Sequence, residues 1–211
     1  VIVQTDSSRV TERSLGDLGA YIELVNVCAR KRLNHPIPNG SPAHARILIS
    51  KLFETARHTA CIVSGKLTDV TASGAEIYGY ADLIEKARQF ISREGSKLSI
   101  ILEREALHNG NKNRFFRSIV DFDKRKGDVL LYSGWDLLKN ARLPHFMVTD
   151  ALAYRFETQL ANYDHEQIEA IANFGDGETA RDLLNLFAMV SSHLSGECEV
   201  QRIHPGERLP A

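Results

Sequence analysis

Between Leu143 and Glu157 the chain reads Leu-Pro-His-Phe-Met-Val-Thr-Asp-Ala-Leu-Ala-Tyr-Arg-Phe-Glu, an apolar, strand-like run carrying His145, Asp150, Arg155 and Glu157. Ionisable groups on such a run must be paired with one another or used for binding or chemistry. An imidazole can move a proton near neutral pH. A guanidinium presents a fixed fork of donors that suits phosphate oxygens. The structural alternative is that Arg155 pairs with Glu157 or Asp150 to anchor a hairpin, and that His145 is a hydrogen-bonded strand residue. For Arg155 the structural alternative is the favoured one.

The elements around this stretch follow from periodicity and breakers. Pro144 opens a strand over 145–150, and Ala151-Leu152 turns it into a second strand, Ala153–Glu157, giving an antiparallel pair. Upstream, Leu18, Tyr21, Ile22, Val25, Ala29 and Leu33 recur at helical spacing within Leu15–Leu33. Arg30, Lys31 and Arg32 suit the last turn of that helix. The Pro- and Gly-rich run His35–Pro42 is expected to be an irregular connector. Ser41-Pro42 then starts a helix reaching about His58, which feeds a buried strand over 59–64. A helix over 80–93, with Gly95 as a left-handed cap, precedes a strand over 97–103 whose continuous apolar character predicts burial on both faces. Further expected elements are a helix over 113–126, a strand over 128–132, a partly helical stretch over 160–173, a helix over 176–194 and an edge strand containing Val200 and Ile203. Alternating helices and strands predict an α/β fold with a mixed, mostly parallel sheet flanked by helices. Residues 1–42 form an N-terminal helix and linker, and residues 43–211 the α/β domain, together one compact unit.

Composition narrows the function classes. The 211 residues are 43% hydrophobic and 25% charged, with 26 basic against 27 acidic side chains, as in a soluble globular chain with no global charge for nucleic acid or membrane. Two short basic runs stand out, Arg30 to Arg32 and Lys124 to Lys126. Cys28, Cys61 and Cys198 lack CxxC spacing and are expected as free thiols in a reducing compartment. No apolar stretch approaches a membrane span, so a cytoplasmic location without membrane association is expected. The chain starts at Val1 rather than Met, which leaves room for a further N-terminal region. The remaining histidines have no metal-ligand spacing, so neither metal nor cofactor is expected. Ser64-Gly65-Lys66 falls short of a phosphate-binding loop, and no GxSxG elbow is present. His108, Asn109 and Lys112, with Arg114, form a polar cluster on a strand-to-helix loop, a place where phosphate can be received; a solvated loop is the equal alternative.

The order of elements from Ala43 to Leu194 resembles one half of the phospholipase D-like fold. Phe174-Gly-Asp-Gly-Glu-Thr-Ala-Arg-Asp-Leu-Leu-Asn-Leu-Phe187 resembles the closing segment of those domains. The family's signature is HxKxxxxD followed by Gly-Ser-x-Asn, in two copies that meet across a pseudo-two-fold axis. Its histidine attacks phosphorus, its lysine neutralises phosphate oxygens and its aspartate orients the imidazole. With His145 at the histidine position, Met147 and Leu152 stand where lysine and aspartate belong. With Asp150 at the aspartate position, His145 takes the lysine place and Leu143 the histidine place. Either register loses two of three groups, and one copy alone would require a homodimer.

The resemblance therefore implies a non-catalytic interaction or regulatory domain that self-associates and keeps a vestigial anion pocket. In that pocket His145, Tyr154 and Arg155 would touch phosphate, and Asp150 and Glu157 would orient them. A protein partner fits this reading as well. One alternative is a homodimeric phosphodiesterase or nuclease using His145, with Lys112 or Arg155 supplying the missing charge. Another is a nucleic-acid-binding module in which the two basic runs track a phosphate backbone.

Overall fold

In the computed structural model, residues 7–64, 67, 77–102, 114–133, 143–157, 170–197 and 200–203 are described, with side chains at 7–17, 133, 195–197 and 200–202 excepted. Helix α1 runs Ser7–Lys31, earlier than the periodicity suggested. Its first turns are polar, and a helix nucleated by a packed C-terminal half propagates outward at little cost. It ends in a Schellman motif: Arg32 is left-handed (φ 51°), and the amides of Leu33 and Arg32 donate to the carbonyls of Cys28 and Ala29.

Strand β1 is Ile37–Asn39, which corrects the expected connector. A Pro-rich run can be an edge strand because Pro38 has no donor to waste on an open edge. Helix α2, Pro42–Thr55, is capped by Ser41, whose Oγ accepts from the His44 amide at 3.1 Å. Then come β2 (Thr59–Val63), α3 (Ala81–Ile91), β3 (Lys97–Leu102), α4 (Arg114–Val120) and β4 (Asp128–Ser133). Gly95 is left-handed at φ 74°, as expected, but in the turn before β3 rather than at the helix end. The motif hairpin is β5 (Phe146–Thr149) and β6 (Ala153–Glu157). Strand β7 is Ala170–Asn173, where partial helix was expected; it fills the edge of β6 and carries β1 on its other side, pairing that satisfies its backbone groups in place of a helix. Helix α5, Gly177–Glu197, and strand β8, Val200–Ile203, close the chain.

The strand order is β1-β7-β6-β5-β2-β3-β4-β8. The sheet is mixed, as expected, but not mostly parallel. Parallel pairing is confined to β2–β3 and β3–β4, and every other pair is antiparallel. The reason is connectivity. Parallel neighbours need a crossover, and among the described residues the neighbouring strands joined through a helix are β2 and β3, through α3, and β3 and β4, through α4.

The strands separate two cores. On one face Ala60, Ile62, Leu98, Ile100, Leu131 and Met147 pack under Leu48, Leu52, Phe53, Leu83, Phe90 and Phe115. On the other, Cys61, Val63, Ile101, Phe146 and Val148 pack under Leu183, Phe187, Val190 and Leu194 of α5. The β3 run is buried on both faces, as its apolar sequence predicted. Val25 and Cys28 of α1 and Ile37 of β1 belong to the first core, so residues before 43 help build the same sheet and core. Among the described residues no helix is long and apolar enough to cross a membrane.

Candidate functional site

The hairpin β5–β6 sits beside β2 at the centre of the sheet. Its turn is tight and left-handed: Asp150 and Ala151 have φ of 52° and 54°, and the Leu152 amide donates back to the Thr149 carbonyl at 3.0 Å. Asp tolerates this region better than most residues. Its carboxylate is fully engaged on the backbone. Oδ2 accepts from the Arg57 amide at 2.6 Å, and Oδ1 accepts from the amides of His58 and Thr59 at 2.9 and 2.8 Å. Asp150 therefore pins the hairpin turn to the entry of β2, at the end of the sheet away from His145.

At the other end of the hairpin, strand alternation places His145, Arg155 and Glu157 on the face covered by α1 and α2. His145 Nδ1 lies 3.2 Å from Glu157 Oε2. Arg155 Nη1 donates to Glu157 Oε1 at 3.0 Å, and its Nε donates to Asn39 Oδ1 at 2.7 Å. Asn39 Nδ2 continues the chain to the Ser41 carbonyl at 2.9 Å. A polar line, buried at Asn39 and Arg155 and half-buried at its ends, thus runs from the start of α2 through β1 and β6 to the start of β5. Arg155 is 5% exposed and Asn39 1%. The hairpin-anchoring alternative, with Glu157 and not Asp150 as the partner of Arg155, is the arrangement found.

Two tyrosines border this line. Tyr21 donates to the Pro38 carbonyl at 2.9 Å and stacks on His44 at 3.8 Å between ring centroids. Burial pushes the Tyr78 hydroxyl up to about 12 against the opposing charge of Arg155.

Tyr154 does not join Arg155. Neighbouring residues of a strand point to opposite faces, and Tyr154 lies under α5, donating to Asp176 Oδ2 at 3.1 Å. Asp176 caps α5 by accepting from the Thr179 amide at 3.1 Å. Hydrogen bonding to Thr179 is the main cause holding its carboxyl below the usual range. Met147, in the lysine position of one register, is 2% exposed and packed in the core beside Arg155. Asn39 was not anticipated; a lone Asn in a Pro- and Gly-rich run carries no sequence signal for a partner more than a hundred residues away. His108, Asn109 and Lys112 lie outside the described residues, and Arg114 is exposed at the start of α4. Of the second basic run, Arg125 is buried at 4%, so Lys124 to Lys126 do not present three cations together. Among the described residues no group of histidine, cysteine or carboxylate side chains has the arrangement to hold a metal ion.

Glu157 feels opposing influences. Burial raises its carboxyl, but the His145 hydrogen bond and the charges of Arg155 and His145 outweigh it, and the net direction is downward. A carboxylate lowered in the folded state stabilises above its unfolded value and loses that contribution as pH falls through the folded one. The melting temperature of the wild type should therefore fall more steeply below about pH 4.5 than that of Glu157→Gln, with the two curves converging in acid. Parallel curves would count against this role for Glu157.

Fold and site together define a mixed α/β sheet with a central antiparallel hairpin, helices on both faces and, at the hairpin's open end, a buried Arg155 joined to half-buried Glu157 and His145. No protein-family model matches the sequence, and no curated protein matches it. Among solved structures, the archaeal chromatin protein TrmBL2, described as showing a novel mode of DNA binding, is similar at a TM-score of 0.52 and 14% identity, over 92% of this chain and 65% of that one. The chain thus spans about two thirds of that protein's length, 65%. Looser likenesses are Nuc from Salmonella typhimurium, a phospholipase D family member (TM-score 0.49, 11% identity, 79% of this chain and 99% of that one), and NucT from Helicobacter pylori (0.48, 17%, 78% and 97%). At such identities the likeness concerns the fold alone, and the two looser matches add nothing about this chain's chemistry.

Proposed function

We propose that the chain is a phospholipase D-like half with a degenerate motif, acting as a non-catalytic interaction or regulatory domain that associates with a second copy of itself. The observation that carries this reading is the commitment of the motif's polar groups. Asp150 accepts three backbone amides, and Arg155 is held between Asn39 and Glu157. A phosphoryl-transfer site needs a nucleophile beside uncommitted positive charge, and apolar Met147 and Leu152 in one register, or Leu143 in the other, fill positions that would supply the missing groups. The test is hydrolysis of bis(p-nitrophenyl) phosphate and of DNA by the wild type and by His145→Ala. The expected result is no turnover above background in either, with His145→Ala losing about 1 kcal/mol of stability, as for a partly exposed pair. Turnover that disappears in His145→Ala would replace this reading with a homodimeric phosphodiesterase.

A second reading, nucleic-acid binding, is favoured by the exposure of Arg30, Lys31 and Arg32 at the end of α1. The likeness in fold to a chromatin protein described as binding DNA agrees with it.

A further inference from the structure

The end of the sheet opposite the His145–Glu157 contact gathers positive charge. Strands β2, β3 and β4 all begin there, with Thr59, Lys97 and Asp128 in register, and the β5–β6 turn and the β7–α5 turn lie at the same end. Backbone contacts lock these turns together. Gly175 is pressed against the Arg32 carbonyl so closely that no Cβ would fit. Asp150 holds the amides of Arg57 and His58. A Cβ on Gly177 would lie 3.4 Å from Arg181 Nη1 and 3.5 Å from the Ala151 carbonyl.

Arg30, Lys31, Arg32, Arg57 and Arg181 are thereby brought to one end of the molecule. All are exposed, and among the described residues the ion pairs involve other side chains. Among the described carboxylates of this half, Asp150 faces three amides and Asp176 caps α5, the exposed Glu54 is paired with Lys51 and Lys86, and Glu23, Glu178 and Asp182 are the further exposed acids. Across the sheet, Lys97, Lys124 and Lys126 are balanced by Glu94, Asp121 and Asp123. The excess charge therefore belongs to the β1–β2 half.

We propose that this end of the β1–β2 half is a docking surface for the sugar-phosphate backbone of a nucleic-acid duplex, with Arg30, Lys31, Arg32, Arg57 and Arg181 as the phosphate contacts. The proposal rests on the second reading above and adds the surface and its chemistry. Four strand spacings from β1 to β2 span about 19 Å, enough to follow about five nucleotide steps of one strand. Four of the five cations are arginines, whose planar fork matches phosphate oxygens. Among the described residues the exposed Phe, Tyr or Trp ring is Tyr80, preceding α3 at the opposite end, so stacking of bases on a single strand has no large aromatic platform here beyond the imidazoles of His35 and His58. Leu33, 38% exposed, is the large apolar side chain exposed at this end, too little for a membrane-anchoring face.

The test is fluorescence anisotropy with a labelled random-sequence duplex over a salt series, alongside co-sedimentation with phosphatidylserine vesicles. The wild type should bind at low salt with a log–log salt slope of about −4.5. A variant carrying Arg30→Gln, Lys31→Gln, Arg32→Asn, Arg57→Gln and Arg181→Gln should bind at least about tenfold more weakly, and each single replacement should flatten the slope by about 1. Asn is chosen at position 32 because it tolerates the left-handed backbone there. The single variants Arg57→Gln and Arg181→Gln, with unchanged melting temperatures, serve if the fivefold variant does not fold. Wild-type binding that these changes leave intact would overturn the surface and spare the second reading. Absence of duplex binding at low salt, with or without vesicle binding, would overturn both.

Discussion

Replacing Arg155 by alanine should cost about 3–5 kcal/mol, the scale for removing one partner of a buried ion pair and leaving the other charge uncompensated. The guanidinium is 5% exposed and serves two acceptors, Glu157 on its own strand and Asn39 on β1. Without it the Glu157 carboxylate keeps, among the described residues, His145 as its close partner, and the Asn39 carbonyl loses its donor in a buried site. Edge strand β1, three residues long, depends on this tie as well as on its ladder with β7. The loss should therefore appear first as faster amide exchange at Ile37 and Asn39. Arg155→Met combined with Glu157→Gln removes both charges while keeping the volume, so it should cost less than the sum of the two single changes. Urea denaturation of the four proteins gives the coupling. A single-variant loss below about 1 kcal/mol would mean that water already screens the pair.

Asp150→Ala should be nearly as damaging, at about 3 kcal/mol. Hydrogen bonds to a charged acceptor contribute about 1.5–3 kcal/mol each and are not additive when they share one carboxylate. Alanine in the left-handed region adds about 1–2 kcal/mol, and partial solvent access to the turn reduces the total. Asp150→Asn separates the two contributions. Asn tolerates the same backbone and keeps an accepting oxygen, but it lacks the charge and the second acceptor. Its melting temperature should fall between those of the wild type and Asp150→Ala. If Asn and Ala lose equally, the charge on the three amides, and not the turn conformation, carries the effect.

These two residues show what was legible in advance. Asp150 and Arg155 stood out in the sequence because charges interrupt an apolar β-run, and the hairpin itself followed from Pro144, the alternation and the small residues at the turn. The role of Arg155 was open between Glu157 and Asp150 because sequence spacing does not say which way a turn closes. Strand alternation decides it. Glu157, two residues on, shares the face of Arg155, whereas Asp150 lies beyond the last ladder pair and faces the amides that open β2. The same alternation separates Tyr154 from Arg155, so the two could not form one anion pocket. Asn39 was illegible for a different reason. Pro36, Pro38, Gly40 and Pro42 carry the local propensity of a connector, and only the vacant edge of β7 makes that run a strand. The 170–173 segment was missed in the same way, since four residues are too few for periodicity to distinguish strand from helix.

The sequence by itself determined the helices with strong apolar stripes, the doubly buried β3, the Ser41-Pro42 cap, the motif hairpin and the α/β class. Each of these depends on local pattern: spacing, capping chemistry and breakers within one or two turns of chain. Only the tertiary structure decided the sheet's mostly antiparallel pairing, the membership of β1 in it, the partners of Asp150 and Arg155, and the gathering of Arg32, Arg57 and Arg181 at one end. The contacts that Asp150 makes with Arg57 and Arg155 with Asn39 join residues from about ninety to more than a hundred positions apart in the chain. They are selected by which edges remain open and which faces remain uncovered once the local elements have formed.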